Sequence, residues 1–471
     1  MKNSQQKVRP FGFRDKFGYL CGDLGNDFGF MFTSMYLMLF YTKVWGVSAS
    51  LVGILFLVSR FLDAFTDITM GTIVDKVRPT KDGKFRPWLK RMAGPFAIMT
   101  FLMYQSSLAN ASMTVKTIVM FVTYILWGSV FYTAINIPYG SMASAITDVP
   151  EERASLSTWR SMGASIASLI IGSLAPQFIF YADANGNQLV SPTNFTIIAG
   201  IFSVCAFIFY MLCYCLTTER VKFESDTNKE NVSVLKNLGI ILKNKALLAI
   251  VASSIVLLLS QLMSGTMNQY LYADYFKNIN ALSISSAAGL PVSFFIAAFI
   301  VKLAAKTGKK EIGVIGMFFS GSIFALLFLL RVKNPWIYVG ASVISTLGTT
   351  SFNMLMWANI TDIIDYNEVL TGKRDDGTIY AVYSFSRKIG QALAGGLGGF
   401  ALSFIGYNSM AAVQETAVTE AIYSLATGFP AVAYIVVALI LAFAYPLNKK
   451  VVNENSEKLA KIRNAKGFNL A

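Results

Sequence analysis

The sequence contains no histidine. That absence removes histidine metal ligands, histidine-based proton relays and serine–histidine catalysis. Charge is also scarce: Asp, Glu, Lys and Arg make up 14% of 471 residues, against about 25% in an ordinary soluble chain. Cysteine is nearly absent. Cys21, Cys205, Cys213 and Cys215 all fall in apolar segments without metal-site spacing, so they read as small buried hydrophobes. No cleavable signal peptide is expected, because a basic, polar N-terminus runs into a full-length apolar segment.

Apolar length is what the chain has in abundance. Hydrophobic residues make up 54% of it, in repeated stretches long enough to cross a bilayer, which takes about 20 residues. Windowed hydropathy places about twelve spans near 17–42, 47–75, 88–109, 113–144, 155–182, 194–217, 246–275, 281–305, 311–331, 335–365, 377–406 and 421–446. The expected fold is an all-α membrane protein of twelve transmembrane helices. The net charge of +14 follows the connections, which alternate between basic and Lys/Arg-poor. The basic set is the N-terminal tail, 75–91, 217–245, 304–311 and 448–467; Arg331 and Lys333 are exceptions on the other side. This bias puts both termini in the cytoplasm of a cell (plasma) membrane and makes lipid headgroups, not nucleic acid, the expected partners of the positive charge.

The basic central stretch, 217–245, separates an N-terminal six-helix half (1–216) from a C-terminal one (246–446), with a tail over 447–471. The halves echo one another. Gly83-Lys84 follows span 2 and Gly308-Lys309-Lys310 follows span 8; Ile146-Thr147-Asp148 follows span 4 and Ile360-Thr361-Asp362 follows span 10. Each Ile-Thr-Asp leads to a span with a basic residue, Arg160 or Lys388. Two related six-helix halves are the plan of the major facilitator superfamily.

Ionisable residues inside spans are expensive, about 2.5–3.5 kcal/mol each at a helix centre, and so mark functional candidates. Asp63 and Asp67 are four residues apart, on one helical face, with Arg60 a turn earlier. A Na⁺ or a shared proton would relieve their repulsion, with Thr66 adding a hydroxyl; alternatively one Asp pairs with Arg60 and the other structures the helix. Asp23, Asn26 and Asp27 lie in GYLCGDLGNDFGF. They suit recognition of adjacent sugar hydroxyls, or a polar packing seam beside Gly22 and Gly25. Asn136, with Thr133, Tyr132 and Tyr139, offers neutral hydrogen bonding near Pro138 and Gly140, where a simple kink is the competing reading. Arg160 and Lys388 either snorkel to the surface or serve the carboxylates and the sugar. Trp127, Trp159 and Trp357 offer flat faces for a sugar ring, or packing. Lys84 and Arg86, in the loop GKFRPW, read as ties between helix ends.

These stretches, with FYTKVWGVSASLVG, SRFLDAFTDITMG, GKFRPWL, VFYTAINIPYGSMASAITD, ITDIIDYNEVLTGKRDDGTIY and SFSRKIGQALAGG, resemble the glycoside–pentoside–hexuronide:cation symporter family over essentially the whole chain. The resemblance implies cation-coupled sugar uptake by alternating access, with no enzymatic activity and no cofactor beyond the coupling ion, Na⁺ or H⁺. It implies that Asp63 and Asp67 form the cation site, Asp27 and Arg160 bind sugar, Thr133 serves sugar or cation, and Lys388 is functional. Compared with the family's melibiose permease, Asn26 replaces a lysine, Asn136 a second sugar-site aspartate, Gly140 a stacking tryptophan and Thr66 a cation-site asparagine. The galactoside site is thereby altered. The branch resembled is that of isoprimeverose and other pentosides, with the glucuronide branch beside it. A xyloside is the first substrate expected and a glucuronide the alternative, in a protein functional as a monomer. An intramembrane aspartyl protease would need Gly-x-Gly-Asp, where this chain has Leu20-Cys21-Gly22-Asp23. A lipid transporter or sensor on the same fold remains a third reading.

Overall fold

The computed structural model describes residues 9–221, 244–372, 376–411 and 413–465. Twelve long helices follow in order: α1 Phe13–Lys43, α2 Ala49–Lys76, α3 Arg86–Leu102, α4 Met113–Ile146, α5 Pro150–Ile179, α6 Pro192–Leu216, α7 Lys245–Tyr275, α8 Ile279–Thr307, α9 Lys309–Leu330, α10 Pro335–Thr371, α11 Asp376–Phe404 and α12 Thr416–Ala444. A shorter helix, α13 Lys449–Ala465, occupies the tail. Among the described residues, eight of the long helices are apolar enough over 18 residues to cross a membrane by composition alone. The other four, α1, α3, α10 and α11, are short or carry ionisable residues that lower their hydropathy. The architecture is the twelve-helix major facilitator fold.

Helix starts are set by local chemistry. Side chains of Ser112, Asn244, Asn278 and Asn334 accept backbone N–H groups of the first turns of α4, α7, α8 and α10. The start of α3 uses a remote acceptor. Glu219 takes the N–H groups of Lys84, Phe85 and Arg86 at 2.7, 2.9 and 2.7 Å, and Arg86 donates to the Tyr214 carbonyl at the end of α6. The GKFRPW loop does tie helix ends together.

The chain forms two compact units, 1–229 with 407–413, and 230–406 with 414–471. In the first, α1 packs on α5 and α6. A Cβ on Gly22 would lie 2.3 Å from the Tyr139 ring and one on Gly29 2.2 Å from Phe96, so these positions admit only glycine. An aromatic core of Phe32, Tyr36, Phe40, Tyr104 and Phe195 fills one end. In the second unit α7 packs on α11 and α12, and α9 on α10 and α12. Ser320 and Ser345 exchange hydrogen bonds with each other's carbonyls, at 2.7 and 3.4 Å.

The structure departs from the sequence expectations in two places. Residues 180–190, expected as part of a span and a plain loop, form a hairpin of Phe180–Ala182 with Gln188–Val190, closed by Asp183 accepting from Asn185 and Asn187. The Ile-Thr-Asp echoes are not equivalent: Thr147 ends α4, whereas α10 continues past Asp362 to Thr371. There Asp362 pairs with Lys309 at 2.8 Å. The tail is helical because Leu459 and Asn455 bury one face against the unit while charged residues cover the other. Most of the expected central loop, 222–243, lies outside the described residues.

Candidate functional site

The first unit gathers the ionisable residues of α1, α2 and α5 near the middles of their helices, with α4 alongside. Asp63 stands halfway along Ala49–Lys76 and Asp27 halfway along Phe13–Lys43. Neither can reach a membrane surface by extending its side chain.

Two clusters result. In the first, Arg60 donates to Asp63 Oδ2 at 3.3 Å, and its guanidinium stacks over Phe30 at 5.3 Å. Ser129 donates to Asp63 Oδ1 at 2.6 Å, and Thr133 donates to Asp67 Oδ1 at 2.9 Å. Thr133 also lies 3.3 Å from the Gly128 carbonyl. These α4 groups converge because Leu126–Tyr132 forms a π-helical turn in α4. Such a turn inserts one extra residue into the helical register and is a frequent mark of a functional site. Arg60 thus pairs with one carboxylate of the expected pair while hydroxyls on α4 bind both. Carboxylate, hydroxyl and carbonyl oxygens are hard donors of the kind a Na⁺ takes. Among the described residues no three acidic or cysteine side chains come together as a metal cluster.

The Thr66 hydroxyl donates to the Asp63 main-chain carbonyl at 3.2 Å, the usual bond of a threonine to the preceding turn, and keeps its lone pairs as acceptors. Sequence reasoning overlooked Ser129, although its position four residues before Thr133 puts both on one helical face.

In the second cluster, Arg160 Nε donates to Asp23 Oδ1 at 2.9 Å and its guanidinium lies 5.2 Å from the Tyr139 ring centroid. Arg160 is therefore a partner of the carboxylate and not a snorkelling residue. Tyr139 and Tyr19 stack at 4.7 Å and exchange hydrogen bonds with each other's carbonyls. Asn26 donates to Asp27 at 3.0 Å and accepts from Tyr210 at 3.3 Å. Asp23 pairs with Arg160, while Asp27 keeps acceptor capacity for hydroxyl donors. Asn136, half-buried on α4, takes no part in the described hydrogen bonds of either cluster. The Lys388 side chain lies outside the described residues.

The tryptophans divide. Trp127 is buried, donates to Thr100 Oγ1 at 2.9 Å and stacks among aromatics, so it is packing. Trp159 meets Phe13 edge-on. Trp357, 43% exposed, stands edge-to-face with Tyr383 at 5.1 Å.

This fold, with its polar groups held at mid-helix, defines a secondary transporter and not an enzyme. The chain belongs to the MFS/sugar transport protein family, whose model matches residues 18–449. It is 31% identical over 445 residues to the uncharacterized symporter YjmB of Bacillus subtilis (strain 168), covering 94% of each chain. It is 29% identical over 453 residues to the glucuronide carrier protein homolog of Escherichia coli (strain K12), covering 95% of each. Among solved structures it superposes on a D-xylose-proton symporter with a TM-score of 0.61 at 12% identity, covering 92% of this chain and 97% of the other. At that identity the likeness concerns the fold.

Ser129 gives a direct test of the first cluster. A hydrogen bond to a charged acceptor contributes about 1.5–3 kcal/mol. If Na⁺ is coupled, Ser129→Ala is expected to raise the Na⁺ concentration for half-maximal uptake by roughly tenfold to a hundredfold; if H⁺ is coupled, loss of the donor favours the protonated carboxyl, and half-maximal uptake is expected at a lower proton concentration. An unchanged cation dependence would remove Ser129 from the site.

Proposed function

We propose that the chain carries out cation-coupled symport of a glycoside by alternating access, with one Na⁺ or H⁺ bound at Asp63 and Asp67. The observation that carries this reading is the convergence of Asp63, Asp67 and Arg60, with hydroxyls of Ser129 and Thr133 on the two carboxylates. Cation binding there favours the conformation that holds the glycoside. Linkage then requires the glycoside to improve cation binding by the same factor. Asp27, Asn26, Asp23, Arg160, Thr133, Asn136 and Lys388 are the proposed sugar-binding set. The charge bias of the connections supports a plasma-membrane protein with both termini in the cytoplasm, and we take the monomer as the functional unit.

Two substrate classes fit. A xyloside such as isoprimeverose is the one that the sequence motifs favour. A glucuronide is the second, supported by the likeness to a glucuronide carrier homolog. The two are close chemically: a xylopyranoside is a glucuronide lacking the carboxylate at C5, with the same ring hydroxyls.

Uptake into proteoliposomes under an imposed Na⁺ or pH gradient tests the reading, with isoprimeverose, xylobiose, methyl glucuronide and melibiose as the panel. The expected result is gradient-driven accumulation of a xyloside or glucuronide and none of melibiose. No accumulation of any glycoside under either gradient would overturn symport and leave a lipid transporter or sensor.

A further inference from the structure

The second unit holds a charge that the proposed mechanism does not use. Arg387 lies on α11, three residues from the middle of Asp376–Phe404. At 1.5 Å per residue, its Cα stands about 16 Å from the nearer helix end. Among the described residues it has no carboxylate partner. It lines a cavity of about 70 Å³ together with Tyr383, Trp357, Asn353, Gln261 and Ser254. Among the described residues no acidic side chain lines it. The helices contribute from their middles here as well: Asn353 is halfway along Pro335–Thr371, and Gln261 is next to the middle of Lys245–Tyr275.

We infer that this cavity is a subsite for the carboxylate of an anionic glycoside, with Arg387 as the residue that reads the charge. The inference rests on the symport reading and adds the substrate class to it. A guanidinium at mid-helix with no carboxylate among the described residues is costly, and a substrate carboxylate supplies a counterion. Arginine presents two parallel N–H donors that match a carboxylate's two oxygens, and Asn353 and Gln261 add neutral donors beside it. The cavity has room for a carboxylate group beside the guanidinium-bearing residue. Arg160 is the poorer candidate for this role because Asp23 already holds it at 2.9 Å. The cluster around it also contains two carboxylates, Asp23 and Asp27, against one guanidinium, which disfavours a further anion.

Methyl glucuronide and methyl xyloside form a matched pair, because they differ only in the C5 carboxylate. Wild type is expected to take up the glucuronide with at least tenfold lower half-saturation than the xyloside. Arg387→Gln is expected to weaken glucuronide uptake by roughly tenfold to a hundredfold and to leave xyloside uptake within about twofold, which also shows that the variant is folded. Should Arg387→Gln fail to insert, Arg387→Lys keeps the charge but loses the paired donors, and it is expected to narrow the preference severalfold. Equal loss for both glycosides would make Arg387 structural and overturn the inference. So would a wild type that prefers the xyloside, or a preference that persists in both variants. In those cases accumulation of glycoside still stands as evidence for symport; absence of all gradient-driven uptake by wild type overturns symport itself.

Discussion

Asp63→Asn is expected to abolish cation-driven accumulation of glycoside while leaving glycoside exchange across the membrane. The substitution keeps the shape of the side chain and an oxygen to accept from Ser129, now 2.6 Å from Asp63 Oδ1. It removes the charge and replaces the oxygen that accepts from Arg60 by an amide nitrogen. The cluster then offers a cation one carboxylate fewer. In wild type, coupling of ordinary strength raises glycoside affinity by roughly 5–150-fold when the cation binds; in the variant that factor falls to about one. The direction of the residual affinity identifies the ion. If a proton is carried, asparagine imitates the protonated carboxylate, and the variant binds glycoside as tightly as cation-loaded wild type. If Na⁺ is carried, a ligand has been lost, and the variant binds as weakly as cation-free wild type. Equilibrium glycoside binding with and without Na⁺, at two pH values, separates the two. Accumulation that survives the substitution would take Asp63 out of the coupling site.

How much of this site was legible in the sequence depended on whether its residues share a helix. Asp63 and Asp67 declared themselves through their spacing, since four residues on one helix place both carboxylates on one face whatever surrounds them. Thr66, three residues after Asp63, donates its hydroxyl to the Asp63 carbonyl of its own helix, a local bond that spacing allowed without announcing. The Asp23–Arg160 pair joins residues 137 apart. Nothing local announces it, and only the cost of isolated charge in a membrane required some partner for each. Ser129 was missed because it is an ordinary small polar residue in an apolar stretch, and it matters through the π turn that presents it. Arg387 was hidden by its neighbour: family likeness drew attention to Lys388, whereas the described cavity is lined by Arg387. The fold itself was more legible than the site, because span length and alternation of basic connections are properties of composition. Its fine boundaries were not. The helix α10 runs on to Thr371, past the expected end near 365, and Asp362 within it pairs with Lys309.

Arg160→Gln is expected to cost more in folding than in any single contact, and a second substitution is expected to return most of that cost. Arg160 and Asp23 meet at 2.9 Å with Asp23 almost wholly buried and Arg160 partly open. Removing one partner of a fully buried pair costs about 3–5 kcal/mol, because the other charge is left unpaired. The partial exposure of Arg160 puts the expected loss near the lower end, about 3 kcal/mol or less. Asp23→Asn with Arg160→Gln leaves two neutral amides able to hydrogen-bond at the same separation, and folded yield and thermal stability in detergent are expected to recover to near wild type. Transport is not expected to follow. The double variant should be stable yet bind glycoside at least tenfold more weakly, because Asp23 and Arg160 set the charge around Asp27, the carboxylate left to accept sugar hydroxyls. A double variant that is stable and fully active would reduce the pair to structure and leave Asp27 to read the sugar without it. A double variant no more stable than Arg160→Gln would mean that Arg160 stabilises chiefly through its face-on contact with Tyr139, 5.2 Å from the ring centroid, and not through the carboxylate.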